Sequence, residues 1–123
     1  MNEKTQQLLD RTFDFGVNIL KILKKLPDDF IYRIPKGQIA RSSISICANY
    51  EEAQGAVSKR DFSNKIGISY KEARESLYWL RVLNKLYDEE KYQKDFENFI
   101  KEAQELKNIF AAIKKSSKES VSQ

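Results

Sequence analysis

The chain of 123 residues contains no histidine, one cysteine, two prolines and four glycines. Each shortage excludes something. Without an imidazole there is no histidine general acid or base and no Ser-His nucleophile. The Glu-x-x-His pairs that hold di-iron centres in helical bundles are missing for the same reason. The single cysteine, Cys47, allows no intrachain disulfide and no Cys/His zinc site, and it fits a reducing, cytoplasmic compartment. No glycine-rich phosphate loop is present. Four glycines and two prolines supply too few turn residues for an all-β fold. No stretch approaches the ~20 apolar residues of a membrane-spanning helix, and residues 1–7 lack the apolar run of a secretory signal. The expectation is a protein without enzymatic activity, cofactor, metal or membrane segment.

What is present is a mix suited to amphipathic helices: 33% charged and 41% hydrophobic residues. The length fits one domain that buries roughly two-thirds of its unfolded surface. A net charge of +4 and a pI of about 9.1 permit contact with phosphate without demanding it. Acidic and basic residues are interleaved, the usual pattern of a solvated helix face.

Apolar residues at helical spacing predict four helices over about 5–26, 37–54, 58–87 and 91–115. Leu9, Phe13, Gly16, Leu20 and Leu23 form the first stripe, and Pro27 ends that helix. Residues 27–37 read as a connector too apolar to be free. Its Phe30, Ile31, Tyr32 and Ile34 either cap the bundle end or touch another subunit, and capping is preferred. Ser58, with Asp61 three residues later, predicts the start of the third helix. Residues 116–123 have no apolar period and read as a frayed polar tail within a domain of residues 1–115. The architecture implied is all-α, an antiparallel up-and-down four-helix bundle.

The second helix is unusual. From Arg41 to Gln54, positions expected to carry core leucines carry serine, asparagine, tyrosine and alanine. With catalytic chemistry excluded, the reading is a polar packing seam of Arg41, Ser42, Ser45, Asn49, Glu52, Glu72 and Glu75. Ser42, Ser45 and Asn49 are expected to be buried, and Arg41 and Asn49 to bond carboxylates or carbonyls on the third helix. Glu51, Glu52, Glu72 and Glu75 could instead meet around a cation, but pairing of Glu52, Glu72 or Glu75 with Arg41, Arg74 or Lys71 is favoured. Cys47, between Ile46 and Ala48, reads as a small hydrophobe.

Leu77, Leu80 and Leu83 already fill the core stripe of the third helix. That leaves Tyr78, Trp79 and Val82 on an adjoining face, where aromatic residues suit an interface. With Tyr50, Phe30 and Tyr32 they form the candidate oligomer interface. Arg41, Arg74, Arg81 and Lys85 are the candidate nucleic-acid contacts, where basic and aromatic groups together suit single-stranded RNA.

Two runs also carry a family resemblance. The first is Gln38-x-x-Arg41-Ser42-x-x-Ser45-Ile46-x-Ala48-Asn49-Tyr50-x-Glu52-Ala53-Gln54-x-Ala56. The second runs from Ser58-x-x-Asp61-Phe62 through Lys71-Glu72-Ala73 to Tyr78-Trp79-Leu80. Together, over residues 11–113, they resemble the four-helix-bundle family related to proteins encoded in intervening sequences of 23S rRNA genes. Ser43 and Cys47 stand where members often carry glycine or another small residue, Ile44 where threonine is common, and Glu52-Ala53 where the intervening-sequence branch has Glu-Gly. The resemblance implies a bacterial-type cytoplasmic bundle in a homo-oligomeric ring, a pentamer. The superfamily includes the accessory protein of diversity-generating retroelements, which binds a reverse transcriptase and nucleic acid through a basic surface. The function implied is a non-enzymatic accessory protein, RNA-binding, whose partner is RNA or a nucleic-acid enzyme. The alternative is a homo-oligomeric scaffold that docks a protein partner and binds no nucleic acid.

Overall fold

Four helices follow one another in chain order: α1 (Glu3–Leu23), α2 (Phe30–Ala53), α3 (Lys59–Leu86) and α4 (Gln93–Ser122). The computed structural model describes residues 2–122; Met1 and Gln123 lie outside the described residues. Each helix packs on the next, and α1 and α4 close the ring more loosely than the other neighbouring pairs. This is the up-and-down bundle expected. No described helix is long and apolar enough to cross a membrane.

Local chemistry sets the helix starts. Asn2, Asp29 and Ser58 are extended residues whose side chains accept from the N–H of Thr5, Tyr32 and Asp61. Each satisfies a backbone donor that has no partner within its own helix. The core is continuous through the bundle, with Ile19, Ile39, Ile46, Ile66, Leu80, Phe96, Leu106 and Phe110 closed to water.

Two boundaries differ from the sequence expectation. The connector 27–37 is mostly helix, because α2 begins at Phe30. Asp29 caps it, and Pro35 lies inside the helix just past its first turn, where its missing N–H removes one bond without ending the helix. Pro35 is buried and Tyr32 half-buried, but Phe30, Ile31 and Ile34 project into solvent and cap nothing; Phe30 is 73% exposed.

The second difference is at the other end. The expected tail is helical through Ser122, held by polar rather than apolar contacts. Ser117 is buried, its Oγ 3.0 Å from Ser63 Oγ and 2.9 Å from Lys114 O. Lys114 Nζ donates to Ser63 O at 2.8 Å. Hydrophobic periodicity carries no signal for an anchor of this kind.

Candidate nucleic-acid interface

The inner side of α3 mixes small residues with the core residues Ile66, Leu80 and Leu83. Ser63, Ser69, Ala73 and Ser76 are buried on it. Ser69 Oγ donates to Ile46 O of α2 at 2.9 Å, and Ser76 Oγ lies 3.0 Å from Ser42 Oγ. Short side chains let two helices approach closely, and each buried hydroxyl then needs a partner. The α1–α2 contact is tight as well: a Cβ added at Gly16 would lie 3.2 Å from Ser43 O.

Arg41 flanks this seam. Its guanidinium donates from Nη1 to Glu72 Oε2 at 3.2 Å and from Nη2 to Glu75 Oε2 at 2.7 Å. The hydrogen bond with Glu75, then the charge of Glu72, raise the Arg41 pKa above its ordinary value. Its charge is thus answered by two carboxylates, so Arg41 belongs to the seam and leaves the phosphate-contacting set.

The rest of the expected seam is looser. Ser42 is buried, but Ser45 and Asn49 are only half-buried and bond within their own helix, to Arg41 O at 2.7 Å and Ser45 O at 2.9 Å. A hydroxyl or amide on a helix satisfies itself most readily on the carbonyl one turn back. Asn49 therefore does not reach α3. Glu52 is exposed and pairs with Lys65 at 3.6 Å. Among the described residues no three acidic or cysteine side chains gather as a metal site would require. Cys47 is buried, its Sγ 3.5 Å from Leu9 O, and burial pushes its thiol pKa up.

The outer side of α3 is different. The helix carries seven Lys and Arg residues against Asp61, Glu72 and Glu75, an excess of four. That equals the net +4 of the whole chain, so the remainder is balanced. Glu72 and Glu75 turn toward Arg41, and Asp61 turns back to Val57 N–H and Lys65. What remains outward is a row at alternating spacings of four and three: Arg60, Asn64, Gly67, Lys71, Arg74, Tyr78, Arg81 and Lys85. Apart from Gly67 every member is exposed, and no cation in the row forms an ion pair among the described residues. From Arg60 to Lys85 the row spans about 37 Å at 1.5 Å per residue.

Gly67 is not a gap in the charge. Lys114 of α4 lies across it, with Nζ 3.3 Å from where a Cβ would stand. Desolvation and then the neighbouring Lys118 lower the Lys114 pKa. Beyond it, the Arg74 guanidinium sits 5.8 Å from the centre of the Tyr70 ring.

Tyr78 stands between Arg74 and Arg81. It is 54% exposed and meets Trp79 edge-on, with ring centres 4.9 Å apart and planes at 80°. Trp79 is half-buried against the core. Tyr78, Arg81, Val82, Asn84, Lys85 and Leu86 line a shallow groove that contains no acid. Asn84 Oδ1 is buried there without a hydrogen-bond donor.

The structure thus groups three of the four candidate phosphate contacts, Arg74, Arg81 and Lys85, on one face with Tyr78 and Val82. It removes Tyr50 from any interface: Tyr50 is buried and packs edge-on against Phe110 with ring centres 5.3 Å apart. Arg60, Lys71 and Lys114 were missed. The first two could have been found by continuing the spacing of Lys85, Arg81 and Arg74 backward; Lys114 could not, since its place depends on how α4 crosses Gly67.

The sequence pattern of the 23S rRNA-intervening sequence proteins matches residues 4–112. The chain belongs to this family. A similar solved structure comes from Bacteroides thetaiotaomicron, a protein of unknown function from the S23 ribosomal protein family. It is 32% identical, superposes with a TM-score of 0.79, and the match covers 91% of this chain and 98% of that one. No curated protein matches this chain.

Proposed function

We propose that this member of the 23S rRNA-intervening sequence protein family is a non-enzymatic accessory protein that contacts RNA through the outer face of α3. The observation that carries the reading is the acid-free row from Arg60 to Lys85, which holds five of the six cations left without a carboxylate partner on the one helix that accounts for the chain's net charge. Unpaired, exposed cations in a line are suited to phosphate, where release of counterions supplies the affinity.

The same reading has the protein acting as a homo-oligomer, a ring of five by the family resemblance, so that weak contacts add across copies. Exposed apolar residues away from α3 support self-association: Phe13, Leu20 and Ile44 on α1 and α2, and Phe30, Ile31 and Ile34 at the start of α2. Those residues also favour a second reading, a homo-oligomeric scaffold that docks a protein partner and binds no nucleic acid.

A filter-binding titration with RNA at low salt, alongside light scattering, separates the two. RNA binding that is lost in Arg74→Glu/Arg81→Glu, with the oligomer mass unchanged, is the expected result. An oligomer that retains no RNA at low salt would leave only the scaffold.

A further inference from the structure

The form of the α3 face narrows the kind of RNA it can take, an inference that rests on the RNA reading above. The cations lie on one side of one unbroken helix for about 37 Å. Their row drifts by only about 20° per heptad. A single strand can follow such a line. At ~3.4 Å per stacked nucleotide it covers the row with roughly ten nucleotides, and with fewer when extended. A duplex cannot follow it, because its phosphates wind around a cylinder and leave the line within a turn. The deep, narrow major groove of A-form RNA also does not admit a helix lying along it. A duplex would therefore meet a few of these cations and leave the rest in water.

Tyr78 decides in the same direction. Its ring is open to solvent, flanked by Arg74 and Arg81, and braced edge-on by Trp79. The groove beside it also carries the apolar Val82 and Leu86, next to Arg81 and Lys85. An aromatic platform within a cationic row adds nothing to a phosphate, and a paired base is already stacked inside its duplex. An unpaired base can lie on the ring while its flanking phosphates meet the arginines.

We infer that α3 takes single-stranded RNA, laid along the helix with an unpaired base stacked on Tyr78. The test is fluorescence anisotropy with a labelled, unstructured RNA dodecamer and the matching 12-base-pair RNA duplex at low salt. The full chain is compared with Tyr78→Ala and Tyr78→Trp. Tyr78 is exposed, so both variants should fold, and circular dichroism checks that they do. The expected result is single-strand binding at least about tenfold tighter than duplex binding. Tyr78→Ala weakens it roughly tenfold, Tyr78→Trp restores it, and duplex binding is unmoved by either change. Equal or tighter duplex binding, or no effect of Tyr78→Ala, would overturn the single-strand assignment while leaving RNA contact on α3 standing. No binding of either probe would overturn both.

Discussion

Along α3 the inward positions Ser63, Ser69, Ala73 and Ser76 are small and closed to water, while the outward row from Arg60 to Lys85 is long, charged and open. Both faces repeat at helical spacing; the inward one interleaves these small residues with Ile66, Leu80 and Leu83, and the outward one has no leucine. Their polar groups are handled differently. Inside, the hydroxyls of Ser69 and Ser76 find partners across the contact at Ile46 O and Ser42 Oγ, and the carboxylates of Glu72 and Glu75 find Arg41. Outside, the cations of the row find no carboxylate among the described residues. Polarity that is answered within the chain serves packing; polarity left unanswered is available to a partner.

Substitutions should separate the two faces. The largest effect on folding is expected at Ser76→Leu, which forces a larger side chain into a closed contact and strips Ser42 of its neighbour. The cost should be about 2–3 kcal/mol in denaturant unfolding. The charge reversal Arg74→Glu/Arg81→Glu should change stability by less than about 0.5 kcal/mol, since both side chains are exposed. It should nonetheless weaken RNA binding by an order of magnitude or more and flatten its salt dependence. A stability loss comparable to that of Ser76→Leu would show that the outer face also holds the fold.

Arg41→Ala should be intermediate, about 1 kcal/mol, because Glu72 is buried but the guanidinium is more than half exposed. A double-mutant cycle with Glu72→Gln should recover much of that cost, whereas additive losses would mean that the bridge contributes nothing. The smallest effect belongs to Cys47. Burial raises its thiol pKa above the ordinary 9.0, so the folded chain keeps a proton that the unfolded chain has lost. The thiol's contribution to stability is therefore full below pH 9 and is lost as pH rises above it. Its rate with a thiol reagent at pH 8 should rise sharply on unfolding, and a fast native reaction would place the thiol at the surface.

The sequence made the helix count, the core stripes and the special character of Arg41 to Gln54 legible, because hydrophobic spacing reports on a bundle directly. It misjudged the start of α2 because residues 27–37 read as one connector after Pro27, whereas Asp29 caps a helix at Phe30 that accommodates Pro35 in its interior. It assigned Tyr50 to an interface because an aromatic among serines looked surplus; its packing partner is Phe110, sixty residues away. It overestimated the seam because Ser45 and Asn49 can bond their own helix as well as a neighbour, and one-dimensional spacing does not choose between the two. Arg74, Arg81 and Lys85 were legible singly. Their isolation from acids was not, since that depends on which way Glu72 and Glu75 turn.

The central claim is that the outer row of α3 is a phosphate-binding face. It is tested most directly by the salt dependence of single-stranded RNA binding to the full chain. Five row cations, Arg60, Lys71, Arg74, Arg81 and Lys85, each releasing about 0.7 counterion, predict a slope of log K against log salt near −3.5. A slope of about zero, or no binding at the lowest salt, would contradict it.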